Sequence, residues 1–155
     1  MKNYLTIIFL LFPASGMAEW EPVAEVGLGV FYNRNDNLVM VGGREDAGEF
    51  LGQPTYQQVD LGHWQGPNSA TFIGYAKGFR FGSQSSQFRV STGASLISDT
   101  GDRLSTGFQF YEQFMLYKEL GNVELSISYR HWSNAGIKLP NWGMDFASAR
   151  IIINW

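Results

Sequence analysis

Residues 145–155 read Asp-Phe-Ala-Ser-Ala-Arg-Ile-Ile-Ile-Asn-Trp. From position 147 onward the odd positions are apolar, and the even positions other than Ile152 are polar: Ser148, Arg150 and Asn154. Successive side chains of a β-strand point to opposite faces, so this period of two predicts a strand with one apolar and one polar face. The terminal Trp155 is typical of the aromatic belt that lies at a membrane–water interface.

The same alternation extends back along the chain, most clearly over residues 123–129. Together with weaker segments it predicts eight strands, near residues 23–32, 37–42, 55–64, 70–81, 87–97, 104–118, 122–133 and 145–155. Residues 43–54 are polar and glycine-rich and are expected to form an unusually long turn. Eight strands of roughly ten residues indicate an all-β fold, an eight-stranded antiparallel transmembrane β-barrel with a side-chain-filled lumen. The barrel must be closed, because an open sheet edge in hydrocarbon leaves backbone groups unpaired.

Length and composition limit the alternatives. The chain has 155 residues, of which 45% are hydrophobic and 16% charged, with a net charge of −3 and no cysteine. These values fit one domain and argue against a disordered chain, a nucleic-acid binder or a disulfide scaffold. After residue 17 no stretch approaches the roughly 18 apolar residues of a membrane-spanning helix.

The N-terminus has the pattern of a secretory signal peptide. Lys2 precedes an apolar run from Tyr4 to Phe12, and small residues precede Ala18. We therefore expect a signal peptide at residues 1–18 and a single β-barrel domain at residues 19–155, located in the outer membrane of a bacterial cell. A soluble secreted barrel, whose strands would show the same alternation, remains the competing interpretation.

The residues suited to chemistry are concentrated between positions 131 and 145. His131 and Ser133 share the parity of the apolar outward face of their strand, and Asp145 shares the parity of Ile151 on the next strand. Polar groups on the lipid side of a barrel are energetically expensive and are functional candidates by default. The pattern therefore predicts a histidine, a serine and a carboxylate that converge outside the barrel.

These three residue types fit nucleophilic catalysis. A serine needs an adjacent base, and the base needs a third group that fixes its tautomer and stabilises its charged form. On one strand face, residues 131 and 133 have Cα atoms roughly 6 to 7 Å apart. On spacing alone His-x-Ser is a weak pattern, and it favours the interpretation that His131 and Ser133 are rim residues beside a solvated loop, with Asp145 merely starting a strand.

The run HWSNAGIKLPNWGMD, residues 131–145, resembles the PagL-type outer-membrane lipid A 3-O-deacylase family. The resemblance implies a serine esterase that hydrolyses the 3-O-linked acyl chain of lipid A in lipopolysaccharide. It makes His131 the general base, Ser133 the nucleophile and Asp145 the acid. Family members usually have glutamate at that last position, so Asp145 is a departure.

The resemblance also implies that the Gly136 backbone and the Asn141 side chain donate to the oxyanion, while Asn134 shapes the loop. It implies no metal or organic cofactor. The expected partners are lipid A and the membrane itself, with no nucleic acid, and a homodimer is left open. A non-catalytic small outer-membrane barrel with a structural or partner-binding role is the alternative.

Two further expectations concern neighbouring residues. Glu112 interrupts the apolar face of the strand near 104–118, so either the register slips there or Glu112 lies near a membrane boundary. Trp132 and Trp142 are expected to anchor the site at the interface.

Overall fold

The chain forms a closed barrel of eight antiparallel strands in which each strand pairs with its sequence neighbours and β1 pairs with β8. The structure, a computed structural model, describes residues 20–30, 36–83, 85–101 and 103–153. The strands are β1 (Glu21–Gly29), β2 (Asn37–Phe50), β3 (Gln53–Gln65), β4 (Ala70–Ser83), β5 (Ser86–Ile97), β6 (Phe108–Leu120), β7 (Val123–Ser133) and β8 (Met144–Ile153). The predicted fold class is thereby confirmed. The predicted signal peptide and Trp155 lie outside the described residues.

The two ends of the barrel differ. At one end, here called the turn end, short connections join β2 to β3, β4 to β5 and β6 to β7. At the other end, here called the loop end, longer segments include residues 98–107 between β5 and β6 and residues 134–143 between β7 and β8. Within the described ranges there is no helix long and apolar enough to cross a membrane.

The prediction of a long turn at residues 43–54 is wrong. β2 continues to Phe50 and pairs with β3 down to the tight turn at Leu51 and Gly52, with a bulge between Asp46 and Glu49. Leu51 and Gly52 have φ angles of 54° and 75°, the left-handed conformations that a two-residue hairpin turn requires. Backbone pairing between strands does not depend on apolar side chains, so a polar segment can extend a hairpin.

Side chains fill the lumen in two layers. Near the loop end, Trp64, Phe72, Trp132 and Phe146 form an aromatic cluster with ring centroids 5.2–5.8 Å apart. Below it lies a buried network of charged and polar groups: Glu25, Gln58, Asp60, Gln113, Arg130 and Arg150. In that network Arg150 contacts Glu25 at 2.6 Å and Arg130 contacts Asp60 at 3.1 Å. Buried charges are stable in such a lumen because each is paired and hydrogen-bonded.

The outer wall is apolar over most of its area. Val26, Leu28, Leu116 and Ile127 are each at least 57% exposed, so large apolar side chains face outward. Glu112 also lies on this outer face, because β6 keeps strict alternation and places Tyr111 and Gln113 in the lumen. No register slip occurs there.

Candidate active site

The alternation of β7 places His131 and Ser133 on the outer wall. The neighbouring residues Arg130 and Trp132 are both 0% exposed and point into the lumen, where Arg130 joins the charged network and Trp132 joins the aromatic cluster. The expectation that Trp132 anchors the site at the membrane interface is therefore wrong, since its even position belongs to the inward face. Trp142, by contrast, is 67% exposed. The lumen packing holds the end of β7 and directs His131 and Ser133 outward.

His131 and Asp145 form the central contact of the site. They are direct cross-strand partners of β7 and β8, and His131 Nδ1 lies 2.7 Å from Asp145 Oδ1. The imidazole side chain is 32% exposed and the carboxylate 11%. A carboxylate at Nδ1 favours the tautomer with the proton on that nitrogen and leaves Nε2 as the basic nitrogen. The aspartate is long enough for this contact although it is one methylene shorter than glutamate.

Tyr129 is a second donor to the same carboxylate. Its hydroxyl donates to Asp145 Oδ1 at 2.5 Å, and its position two residues before His131 places it on the same outer face. Sequence reasoning did not assign Tyr129 to the site. The sequence indicates only that Tyr129 lies on the same strand face as His131. That both side chains contact the same Asp145 carboxylate depends on the register between β7 and β8.

Ser133 ends β7 on the outer face and is paired across the sheet with Phe110. It is partly exposed, and among the described residues no hydrogen bond joins its hydroxyl to the imidazole. The structure thus brings His131 and Asp145 together and leaves Ser133 beside them on the same face. A serine side chain has three staggered rotamers, so its hydroxyl can change direction without moving the backbone.

Gly143 packs against the imidazole. It has a φ of 73°, and a Cβ built on it would lie 2.5 Å from His131 Cε1 and 3.3 Å from Nε2. Real Cβ atoms essentially never approach another atom so closely. Any larger residue would therefore strain the left-handed backbone and push the imidazole ring aside, whereas glycine does neither. Gly143 was assigned no role in the sequence analysis.

Asn134 organises the loop that follows Ser133. It is 0% exposed, its backbone N–H donates to Asn141 Oδ1 at 2.9 Å, and its Oδ1 accepts the Gly136 N–H at 2.9 Å. Its side-chain amide donates to the Lys138 carbonyl at 2.7 Å. The three residues that the resemblance assigned to this loop are thus bonded to one another.

The loop between β5 and β6 supports this arrangement from the side. Ser105 Oγ accepts from the Asn134 amide at 3.0 Å and donates to the Lys138 carbonyl at 2.7 Å. Leu104 forms an isolated β-bridge with Asn141. Residues 104–107, which the sequence placed in a strand, therefore act as a brace for the loop beside the site.

An apolar groove begins immediately below the site on the outer wall. Its volume is about 840 Å³, and Tyr129 and Ala147 lie at its end nearest His131 and Asp145. Its lining includes the small residues Gly27 and Ala149 and large apolar side chains: Leu28, Phe114, Leu116 and Ile127. No group of three metal-ligating His, Cys, Asp or Glu side chains occurs in the part of the chain that the structure describes.

These features define a class of protein: a closed eight-stranded barrel of the transmembrane type with a histidine–carboxylate pair and a nearby serine on its outer wall. The sequence profile of the lipid A 3-O-deacylase (PagL) family matches residues 46–154, and the chain belongs to that family.

Solved structures agree on the fold. The crystal structure of the outer membrane enzyme PagL is similar over 87% of this chain and 99% of that chain, with a TM-score of 0.71 and 19% identity. A de novo designed transmembrane β-barrel is similar over 86% of this chain and 93% of that chain, with a TM-score of 0.59 and 12% identity. At these identities the likeness concerns the fold alone. No curated protein sequence matches the chain significantly.

Proposed function

We propose that this protein is an outer-membrane serine esterase that hydrolyses the 3-O-linked acyl chain of lipid A. The observation that carries the proposal is the 2.7 Å contact between His131 and Asp145 on the outer wall, two residues from Ser133. A base held by a carboxylate next to a serine is the arrangement that acyl transfer requires. Family membership supplies the substrate class.

The location of the site fits a substrate that lies in the same bilayer. Barrels of this class have short periplasmic turns and longer external loops, so the loop end faces outward and the site lies at the level of the outer leaflet. The mature chain, residues 19–155, forms the single barrel after removal of residues 1–18. Lipid A then reaches the site by lateral diffusion, and its acyl chain occupies the groove that begins at Tyr129.

The reaction proceeds in two acyl transfers. Ser133 Oγ attacks the ester carbonyl while its proton moves to His131 Nε2, and Asp145 stabilises the resulting imidazolium. The tetrahedral intermediate collapses, the carbon–oxygen bond to the sugar breaks, and the leaving oxygen takes the proton from Nε2. Water then attacks the acyl-serine with His131 as base, which releases the fatty acid and restores Ser133.

The Gly136 N–H and the Asn141 side chain are the proposed oxyanion donors. In this structure the Gly136 N–H is bonded to Asn134 Oδ1 and the Asn141 carbonyl oxygen accepts the Asn134 N–H. The Asn141 amide nitrogen is then the end of that side chain available for donation, whereas the Gly136 N–H must share or exchange its acceptor when substrate binds. Asn134 keeps both donors within one rigid loop.

Mass spectrometry of lipid A tests the function. Cells with the wild-type protein should lose one 3-O-linked acyl chain from lipid A, and Ser133→Ala should abolish that loss while the folded barrel remains in the outer membrane. Ser126→Ala makes the same change on the same strand, opposite Arg150, and should leave deacylation intact. Deacylation that persists in the Ser133 variant would indicate another nucleophile, and no deacylation in cells with the wild-type protein would support a non-catalytic barrel.

A further inference from the structure

A continuous row of polar side chains crosses the outer wall. The strand register pairs each member with the next, in the order Glu45, Gln57, Lys77, Thr92, Glu112, His131 and Asp145. Each occupies an outward position of its strand. The adjacent outward rows are largely apolar, with Val59, Ala94 and Phe110 on one side and Phe79, Val90 and Phe114 on the other.

The row descends through the membrane-facing surface. Asp145 lies next to the loop-end residue of β8, Lys77 lies midway along β4, and Gln57 lies near the turn-end start of β3. Strands about 4.8 Å apart that tilt by about 40° give a drop of roughly 3 Å per strand, or about 18 Å over the row. The apolar band of such barrels is about 25 Å tall. The row therefore crosses most of the hydrocarbon.

Aromatic side chains mark the lower boundary. Phe50, Phe79, Phe81 and Phe88 form a ladder on the outer wall at the turn end, with centroids 6.2–6.3 Å apart. Aromatic girdles of this kind lie at the membrane–water interface. Gln57 is two residues from Thr55, the cross-strand partner of Phe79, so the lower end of the row reaches this girdle.

The polar side chains at the two ends of the row have hydrogen-bond partners within the described part of the protein, and those in its middle do not. Gln57 donates to Glu45 and accepts from the Tyr75 hydroxyl at 2.8 Å, while Asp145 is bonded to His131. The side chains of Lys77, Thr92 and Glu112 are all exposed, and the described residues offer none of them a hydrogen bond or an ion pair. Polar groups in hydrocarbon draw in water and lipid headgroups through local bilayer defects. The middle of the row therefore has to find its partners outside the protein.

The charges of the row select the class of partner. Lys77 is positive, and the carboxylates of Glu45 and Glu112 lie on either side of it along the row. A headgroup with one phosphate and one ammonium matches this order, with the phosphate at Lys77 and the ammonium at a carboxylate. An anionic headgroup without an ammonium would meet two uncompensated carboxylates.

We propose that the row is a transbilayer track for zwitterionic phospholipid headgroups, so that the barrel exchanges lipids of the phosphatidylethanolamine type between leaflets. The headgroup moves along the polar row while its acyl chains remain in hydrocarbon beside the apolar rows. No covalent bond changes. The activity does not depend on the proposed hydrolysis, which uses only the loop-end members of the row.

A dithionite-bleaching assay tests the track. The full-length mature protein is reconstituted into vesicles that contain phosphatidylethanolamine with an acyl-chain NBD label, and dithionite then reduces the outer-leaflet label. Bleaching should proceed beyond the outer-leaflet fraction in vesicles that hold the barrel. Exchange of phosphatidylglycerol with the same label should be slower. Ser133→Ala should retain exchange, which separates this activity from the esterase.

Variants in the middle of the row give the decisive comparison. Lys77→Met with Thr92→Val should slow exchange roughly tenfold, the loss expected for one charge-assisted hydrogen bond. Lys77→Arg should retain exchange. Phe79→Leu with Val90→Ala changes the next outward row of the same two strands and should also retain it.

Three outcomes would overturn the proposal. The first is bleaching by the wild-type protein that stops at the outer-leaflet fraction. The second is equal exchange by wild type and the Lys77/Thr92 variant. If the wild-type barrel instead sediments as a dimer that the same variant dissociates, the row serves contact between two copies of the chain.

Discussion

The sharpest test of the site is Gly143→Ala. The added Cβ would lie 2.5 Å from His131 Cε1, whereas ordinary van der Waals contacts begin near 3.4 Å. The imidazole must therefore move by about 1 Å, and a displacement of that size at a catalytic group costs about 100-fold in rate. The second close atom is the Trp132 carbonyl at 3.2 Å, which belongs to β7 and cannot give way as the ring can. We expect kcat to fall about 100-fold.

A matched control separates this displacement from backbone strain. Gly121, in the turn between β6 and β7, has a φ of 67° and nothing within 4 Å of a built Cβ. Gly121→Ala should therefore lower the free energy of unfolding by about 1 kcal/mol, as Gly143→Ala also does through its backbone, but leave kcat unchanged. The assay is fatty-acid release from purified lipopolysaccharide in detergent micelles, measured by mass spectrometry. Equal kcat values for the two variants would refute the role given to Gly143 and to the position of His131.

Four other changes probe neighbouring contacts. Tyr129→Phe removes one donor to Asp145 and should lower kcat about tenfold without changing KM, since a bond to a charged group is worth about 1.5 to 3 kcal/mol; a shift in KM alone would place Tyr129 in substrate binding instead. Asp145→Asn should lower kcat about 10³–10⁴-fold because the amide disfavours the required tautomer, and Asp145→Glu should retain activity; an active Asn variant would remove Asp145 from the mechanism. Ser105→Ala should loosen the loop and reduce kcat several-fold, which corresponds to about 1 kcal/mol in the activation free energy, and Ser105→Thr should restore kcat. Unchanged kcat in both variants would show that the contacts of Ser105 have only a structural role. Trp132→Ala should lower the unfolding free energy by about 3 to 5 kcal/mol in urea titrations of vesicle-embedded protein, and a smaller loss would contradict its place in the lumen cluster.

Much of the fold was predictable because a barrel strand with an apolar outer face and a polar inner face shows alternating apolar and polar residues in the sequence. The eight strands and their inward and outward sides follow from a period of two, which depends only on neighbouring residues. The period of two did not predict the polar end of β2 as a strand, and it wrongly included residues 104–107 in one. In the first case backbone pairing with β3 extended a polar segment, and in the second the backbone paired with Asn141 rather than continuing the strand.

The positions of the candidate site residues on the barrel were predictable from the sequence, and their contacts were not. The alternation of side chains correctly placed His131, Ser133 and Asp145 on one outer face. The same alternation turns Trp132 into the lumen, which is incompatible with the role at the membrane interface that we expected for it. The sequence did not single out Gly143 or Tyr129, since a glycine in a loop is ordinary and many side chains share the outward parity of Tyr129. Their roles arise from atoms of other strands and of the returning loop.

Residue order alone determined which side chains point into the lumen and which toward lipid, since that choice is made residue by residue along each strand. Tertiary structure decided how far each strand is shifted against its neighbours, because the shift is settled only when β8 closes on β1. That shift puts His131 opposite Asp145, places Glu112 on the other side of His131, and aligns Lys77 and Thr92 into the same row. Contacts between distant segments depend on barrel closure, and no local pattern encodes it.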